Sequence, residues 1–279
     1  MNARTRHRVG RIALNLAAIV VFAFSVFPVY WMVNTAFLPG SAVKSETPHF
    51  WPDQFTLKSF AGAWNDGFLP ALGVSLGVTV LTVVVALLFA FLASIAVTRY
   101  RFRSRKTFIV AILVIQMIPA EAMIISTFRV LDGWHLLNTI IGLSAVYIAM
   151  VLPFTIWTLR GFVNGVPAEL EEAAMIDGCS RNQAFWRVTF PLLAPGLVAT
   201  GIFAFIQAWN EFVFALVIMT RPESQTLPIW LRAFVQATKA TDWAVVMAGS
   251  TLMAIPVIVF FLIVQGKMTG GLVSGAVKG

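Results

Sequence analysis

The amino-acid sequence predicts an all-α membrane protein of six transmembrane helices, with a helix–turn–helix between the fourth and fifth spans. Three observations carry that expectation. Hydrophobic residues make up 59% of the 279 and charged ones only 11%, apolar runs of bilayer-crossing length recur along the chain, and one polar loop is far longer than a connection requires. A water-soluble fold of this size needs more polar side chains to cover its outside, whereas a lipid-facing bundle leaves apolar ones outward without penalty. The mean hydropathy of +0.85 agrees. One membrane domain over 1–279 is the simplest organisation.

Crossing a hydrocarbon core of roughly 30 Å takes about 20 apolar residues as a helix. The first such run is 12–33. Arg4, Arg6, Arg8 and Arg11 precede it in the manner of a secretory leader, but the run is too long and no small-residue cleavage site follows, so it reads as a retained span. The segment 34–70 holds Pro39, Gly40, Pro48, Pro52 and Gly67 with the rings of His49, Trp51 and Trp64, the composition of an ordered interfacial loop. Spans at 71–97, 107–128, 139–160, 197–219 and 244–266 follow. Pro119 and Glu121 interrupt the third, which places it toward the bundle interior, where protein or water can satisfy the broken backbone.

Orientation follows from lysine and arginine. With the N-terminus inside, 14 of the 20 basic residues are cytoplasmic: Arg4, Arg6, Arg8, Arg11, Arg99, Arg101, Arg103, Arg105, Lys106, Arg160, Arg181, Arg187, Lys267 and Lys278. The external 6 are Lys44, Lys58, Arg129, Arg221, Arg232 and Lys239. Both termini are therefore expected in the cytoplasm. The net charge of +8 is explained by topology and anionic headgroups. Nothing resembling a basic helix face, zinc spacing or aromatic-studded strand supports nucleic-acid binding. Cys179 is the sole cysteine, so neither an intrachain disulfide nor a cysteine metal cluster can form, and His7, His49 and His135 are too scattered for a metal site.

The loop 162–196 carries the most information. Pro167 suits a first helical turn, and Glu169, Glu171 and Glu172 lie where the helix dipole favours negative charge. Gly178 is a C-terminal stop. A second helix is expected over Ser180–Phe190, ended by Pro191 and Pro195 before the fifth span. Ala173 and Ala174 would let another backbone approach closely.

This loop resembles the signature of the permease subunits of bacterial and archaeal ABC importers: Glu-Ala-Ala, three residues, Gly, nine residues, Ile-x-Leu-Pro. Here it stands as Glu172-Ala173-Ala174, Gly178 and Val188-Thr189-Phe190-Pro191, with Val for Ile and Phe for Leu, both still apolar. The likeness covers essentially the whole chain and points to the sugar-importing branch, similar to the smaller maltose permease. Further matching stretches are Phe27–Asn34, Leu152-Pro153-Phe154, Trp209-Asn210-Glu211-Phe212 and Gly270–Gly279.

The resemblance implies that the loop docks on an ATP-binding subunit. Glu172 would pair with a basic or polar group there, Ala173 and Ala174 would enter its cleft, Gly178 would form the turn, and Pro191 would close the motif. It also implies two copies of that ATPase, a second permease, an extracytoplasmic solute-binding protein, a di- or oligosaccharide substrate, and Mg-ATP held only by the partner. The tail Gly270–Gly279 would reach toward the ATPase. No phosphate loop of the form Gly-x-x-x-x-Gly-Lys-Ser/Thr occurs, and no cofactor is expected in this chain.

Inside the spans, Glu211 with Gln207, Trp209 and Asn210 either lines a translocation path or makes a structural hydrogen bond against the partner permease. Glu121 with Gln116 poses the same choice. A proton relay through Glu121 and Glu211 would make a secondary transporter, a reading that leaves the long loop idle. No Ser/His/Asp set or His-Glu-x-x-His supports an embedded enzyme. Trp230, Phe234 and Trp243, in the external loop 220–243, are expected anchors for the binding protein.

Overall fold

Small side chains at helical spacing set how the spans pack. The computed structural model describes residues 3–235 and 241–275, with side chains described over 11–235 and 241–266. Among the described residues there is no strand, and the α-helices are α1 (Ala3–Ala36), α2 (Gly40–Val43), α3 (Lys58–Ala63), α4 (Leu69–Arg99), α5 (Arg105–Gln116), α6 (Ile124–Gly133), α7 (Ile140–Gly165), α8 (Glu169–Ile176), α9 (Arg181–Ala184), α10 (Phe190–Asn210), α11 (Val213–Ile218), α12 (Leu227–Ala233) and α13 (Trp243–Gly275). Lys239, Lys278 and the last residues of the glycine-rich tail, 276–279, lie outside the described residues, as do the side chains of Arg4, Arg6, Arg8 and Lys267.

Five helical runs are long and apolar enough to cross a bilayer: Arg11–Ala36, Lys58–Arg99, Ile140–Gly165, Arg181–Asn210 and Trp243–Gly266. A sixth is the pair Arg105–Gln116 and Ala120–Gly133, bent by 88°. The six-span expectation holds with that pair taken as one span. The third span is thus two helices. Pro119 adopts φ −59 and ψ 119, outside helical geometry, and has no N–H to continue the ladder.

The structure corrects the fifth span twice. Pro191 and Pro195 do not end the second loop helix. The chain is helical from Arg181 to Asn210, because a π segment over Phe185–Thr189 shifts the register just before Pro191. Pro191 then occupies the first turn of α10, where its missing N–H costs nothing. The span also breaks at the other end, where Glu211 turns extended at φ −66 and ψ 131 before α11 begins.

The chain divides into two compact units, one from Met1–Phe68 with Leu231–Pro256 and the other from Leu69–Trp230 with Val257–Gly279. In the first, Tyr30 Oη donates to the Phe50 carbonyl and Asn34 Nδ2 to that of His49 at 2.7 Å. The Phe37 ring lies 4.9 Å from those of Phe55 and Phe60. These contacts hold His49, Phe50, Phe55 and Phe60 against the C-terminal part of α1 and the residue that follows it.

The second unit is built on α4, α7 and α10, which pack on one another. The buried face of α4 is Ala71, Ser75, Val78, Thr79, Thr82, Ala86, Ala90, Ser94 and Val97. Mostly small and three or four residues apart, these let neighbouring backbones come close, the usual means of helix association in lipid. Ser144 Oγ of α7 reaches the Val78 carbonyl at 3.3 Å. The opposite face of α4, with Val80, Val84, Leu88 and Leu92, is exposed, as a bilayer-facing surface is. At one end of this unit Asn138, at φ 58, accepts through Oδ1 from Arg221 N at 2.9 Å and Ser224 Oγ at 3.0 Å, tying the 219–226 turn to the start of α7.

Candidate functional site

The loop 162–196 folds into the short helix α8, a corner at Gly178 and the beginning of the long helical run Arg181–Asn210. Gly178 lies at φ +92 and closes a Schellman motif: its N–H donates to the Met175 carbonyl at 3.1 Å and that of Cys179 to the Ala174 carbonyl at 3.0 Å. A Cβ there would meet nothing within 4 Å, so glycine is required for its backbone conformation and not for space. Ser180 caps the next helix through a reciprocal box with Gln183, at 3.3 and 3.0 Å.

The corner sorts the motif residues by face. Glu172, Ala173 and Gly178 are exposed and Ala174 half-buried. Met175 and Ile176, the latter 86% exposed, extend the outward surface with apolar side chains. Glu171 turns the other way. Its Oε1 accepts from Thr189 Oγ1 at 2.7 Å and lies 3.5 Å from Arg99 Nη2, which donates to the Val166 carbonyl at 3.0 Å. Neither partner was legible as such: Glu171 reads as a dipole charge and Arg99 as one of a basic cluster, since their proximity depends on α4 packing beside the loop.

A second feature of the same unit is a cavity of about 620 Å³. Ile115, Met123, Val130, Met150 and Phe214 give it apolar walls, and Gln116, Ser126, Thr127, Trp134, Tyr147, Gln207 and Glu211 supply polar edges. Of the expected path residues, Gln116, Gln207 and Glu211 line it. Glu121 does not: it is exposed on the 3-10 turn at the α5–α6 bend, where Ala120 and Met123 face the cavity instead. Trp209 is also off the wall, 2% exposed and stacked 5.6 Å from Phe205. Asn210 bends back to the Ile206 carbonyl at 3.0 Å.

Glu211 is held by three donors. Its Oε2 accepts from Tyr147 Oη at 2.6 Å and from Ala215 N at 3.1 Å, and its Oε1 from Phe214 N at 2.8 Å. The carboxylate therefore caps the first turn of α11 and ties it to α7. The carboxylate is thus structurally bonded within this chain and also presents an edge to the cavity. Tyr147 was not singled out from the sequence, where it is one apolar-run aromatic among many.

The expected binding-protein anchors separate. Trp230 is 4% exposed, because α12 turns Leu227, Ile229 and Trp230 inward together; it is no surface anchor. Phe234 is half-buried and Trp243 is 48% exposed.

Residues 83–269 match the model of the binding-protein-dependent transport system inner membrane component family. The diacetylchitobiose uptake system permease protein of Streptomyces coelicolor is 47% identical over 271 residues, covering 97% of this chain and 98% of its own. The trehalose transport system permease protein of Mycobacterium tuberculosis is 35% identical over 93% of this chain and 95% of its own. Among solved structures, a chain from a bacterial ABC transporter involved in the import of the acidic polysaccharide alginate superposes with a TM-score of 0.79 at 23% identity, covering 95% of this chain and 98% of that one. The last likeness is one of fold.

Proposed function

The chain belongs to the family of binding-protein-dependent transport system inner membrane components, and on that footing we propose that it is one of two permease subunits of an ATP-driven importer of a di- or oligosaccharide. The sugar class is supported by relatives named for diacetylchitobiose and trehalose. It is also supported by a cavity whose apolar walls, Trp134 ring and amides of Gln116 and Gln207 suit the faces and hydroxyls of a sugar.

The observation that carries the reading is the outward face of α8. Glu172, Ala173, Met175 and Ile176 form a small acidic and apolar exposed surface beside the Gly178 corner, with no side-chain hydrogen bond or ion pair for Glu172 among the described residues. A separate ATP-binding subunit docks there, present in two copies for the permease pair, and holds Mg-ATP. Nucleotide-driven closure of the ATPase moves α8, the permease pair opens outward, and a solute-binding protein delivers sugar; hydrolysis resets the inward state. Both termini face the cytoplasm, as the excess of lysine and arginine there supports. The binding protein meets the segments 34–70 and 220–243, with Phe234 and Trp243 as contacts.

Purification from the native membrane in mild detergent tests this. The expected companions are an ATP-hydrolysing subunit, a second permease and a sugar-binding protein. Glu172→Lys is expected to abolish uptake while the chain still inserts. Recovery of the chain alone as a homo-oligomer, or normal uptake by Glu172→Lys, refutes the proposal.

A further inference from the structure

We propose that Arg99 and Glu171 are a positioning pair that joins the docking helix to three spans at once, so that a displacement of α8 is delivered to α4, α7 and α10 together. The inference rests on the reading that α8 docks on an ATP-binding subunit.

Three helix ends and the π segment that leads into α10 converge on these two side chains. Arg99 is the last residue of α4, and Glu171 lies in the first turn of α8. Val166, whose carbonyl accepts from Arg99, is the C-cap of α7. Thr189, which donates to Glu171, immediately precedes α10. The charges suit their places, since a cation favours a helix C-terminus and an anion an N-terminus.

The surroundings make the pair more than a surface ion pair. Arg99 and Glu171 are 20% and 19% exposed and Thr189 only 1%. Beside them Val163, Val166 and Leu193 form an apolar cluster with Phe91 and Ile95. The Phe91 ring sits 5.7 Å from Phe190 and 6.1 Å from Phe185. Screening is weak in such a place, and the geometry is specified by hydrogen bonds to a hydroxyl and a carbonyl. The ion pair is long at 3.5 Å, and Arg99 Nε is buried with no acceptor among the described residues. That arrangement can tighten or loosen as α8 moves, which is what a coupling element requires.

A plain structural staple would look the same at rest, so the test reads coupling. In the purified complex with its ATPase, Arg99→Gln and Glu171→Gln are each expected to lower uptake about tenfold, with complex recovery and ATP hydrolysis changed by less than about twofold. Hydrolysis per sugar delivered therefore rises. Arg99→Lys, which keeps the charge but reaches one acceptor, is expected to lose about threefold in uptake; it also carries the test should Arg99→Gln fail to accumulate. Uptake within about twofold of wild type in these variants, or uptake, hydrolysis and recovery falling in the same proportion, overturns the proposal. A wild-type preparation without an ATP-hydrolysing subunit refutes the docking reading itself, which distinguishes the two failures.

Discussion

Tyr147→Phe removes one oxygen and leaves the ring's apolar contacts in place, which makes it a clean probe of the joint at Glu211. The lost bond is 2.6 Å long, and its donor ring is 1% exposed. A hydrogen bond to a charged group contributes about 1.5–3 kcal/mol, and that is the destabilisation expected here. Glu211→Gln keeps one oxygen, which can serve Tyr147 and Ala215, but turns an NH₂ toward the Phe214 N–H that donates at 2.8 Å. That donor–donor approach, with loss of the charge from the remaining bonds, costs about 2–4 kcal/mol. In the Gln background the Tyr147 bond is neutral and contributes about 1 kcal/mol, so the double-mutant cycle should show a coupling of about 0.5–2 kcal/mol. The assay is denaturation of the four proteins in mixed micelles by increasing SDS, followed by circular dichroism. A coupling below about 0.3 kcal/mol, or a Tyr147→Phe midpoint equal to wild type, would refute the tie that Tyr147 makes between α7 and Glu211.

Other expectations follow from single positions. Gly178→Ala should destabilise the α8 corner by about 1–2 kcal/mol through its left-handed backbone and Gly178→Asn by less, read as faster proteolysis within 176–181. Gly142→Ala places a Cβ 2.2 Å from the Leu136 carbonyl oxygen, a clash with backbone that should cost about 3 kcal/mol and show as a lowered melting temperature. Gly196→Ala meets the Phe162 ring at 2.5 Å; it should destabilise by about 1–3 kcal/mol, and Phe162→Ala in the same chain, which removes the clashing ring atoms, should recover part of the loss. Ile176→Glu, at a position 86% exposed, should leave folding unchanged yet reduce co-purified ATPase about tenfold.

What could be read from the sequence depended on whether the signal was local. The helix–turn–helix was legible because its determinants lie within a few residues of one another: Pro167, the acidic first turn at Glu169–Glu172 and the stop at Gly178. The spans were legible as lengths of apolar chain. Their breaks were less so. Pro191 suggests a helix end wherever the register is strictly α, and the π segment that spares it has no sequence mark that composition can supply. Trp209 and Glu211 sit two residues apart in one motif, yet one is packed against Phe205 and the other faces the cavity, a division made by the bend at Glu211. Arg99 and Glu171, 72 positions apart, required tertiary structure to be seen as partners.

The π segment Phe185–Thr189 gives the run from Arg181 to Asn210 the character of a screw whose thread is offset partway along. The Phe190 N–H reaches back five residues to the Phe185 carbonyl, so the wide turn takes up one residue more than an α-turn. Deleting a single residue there, such as the half-exposed Trp186, would return the turn to plain α geometry with the Arg181–Ala184 face kept nearly in place, but would set the Pro191 ring against the carbonyl four residues back, while an added residue would swing that face by about 100°. Single insertions and deletions in these five positions should therefore harm the protein more than any substitution among them, a pattern that a library of length variants selected on sugar uptake would reveal.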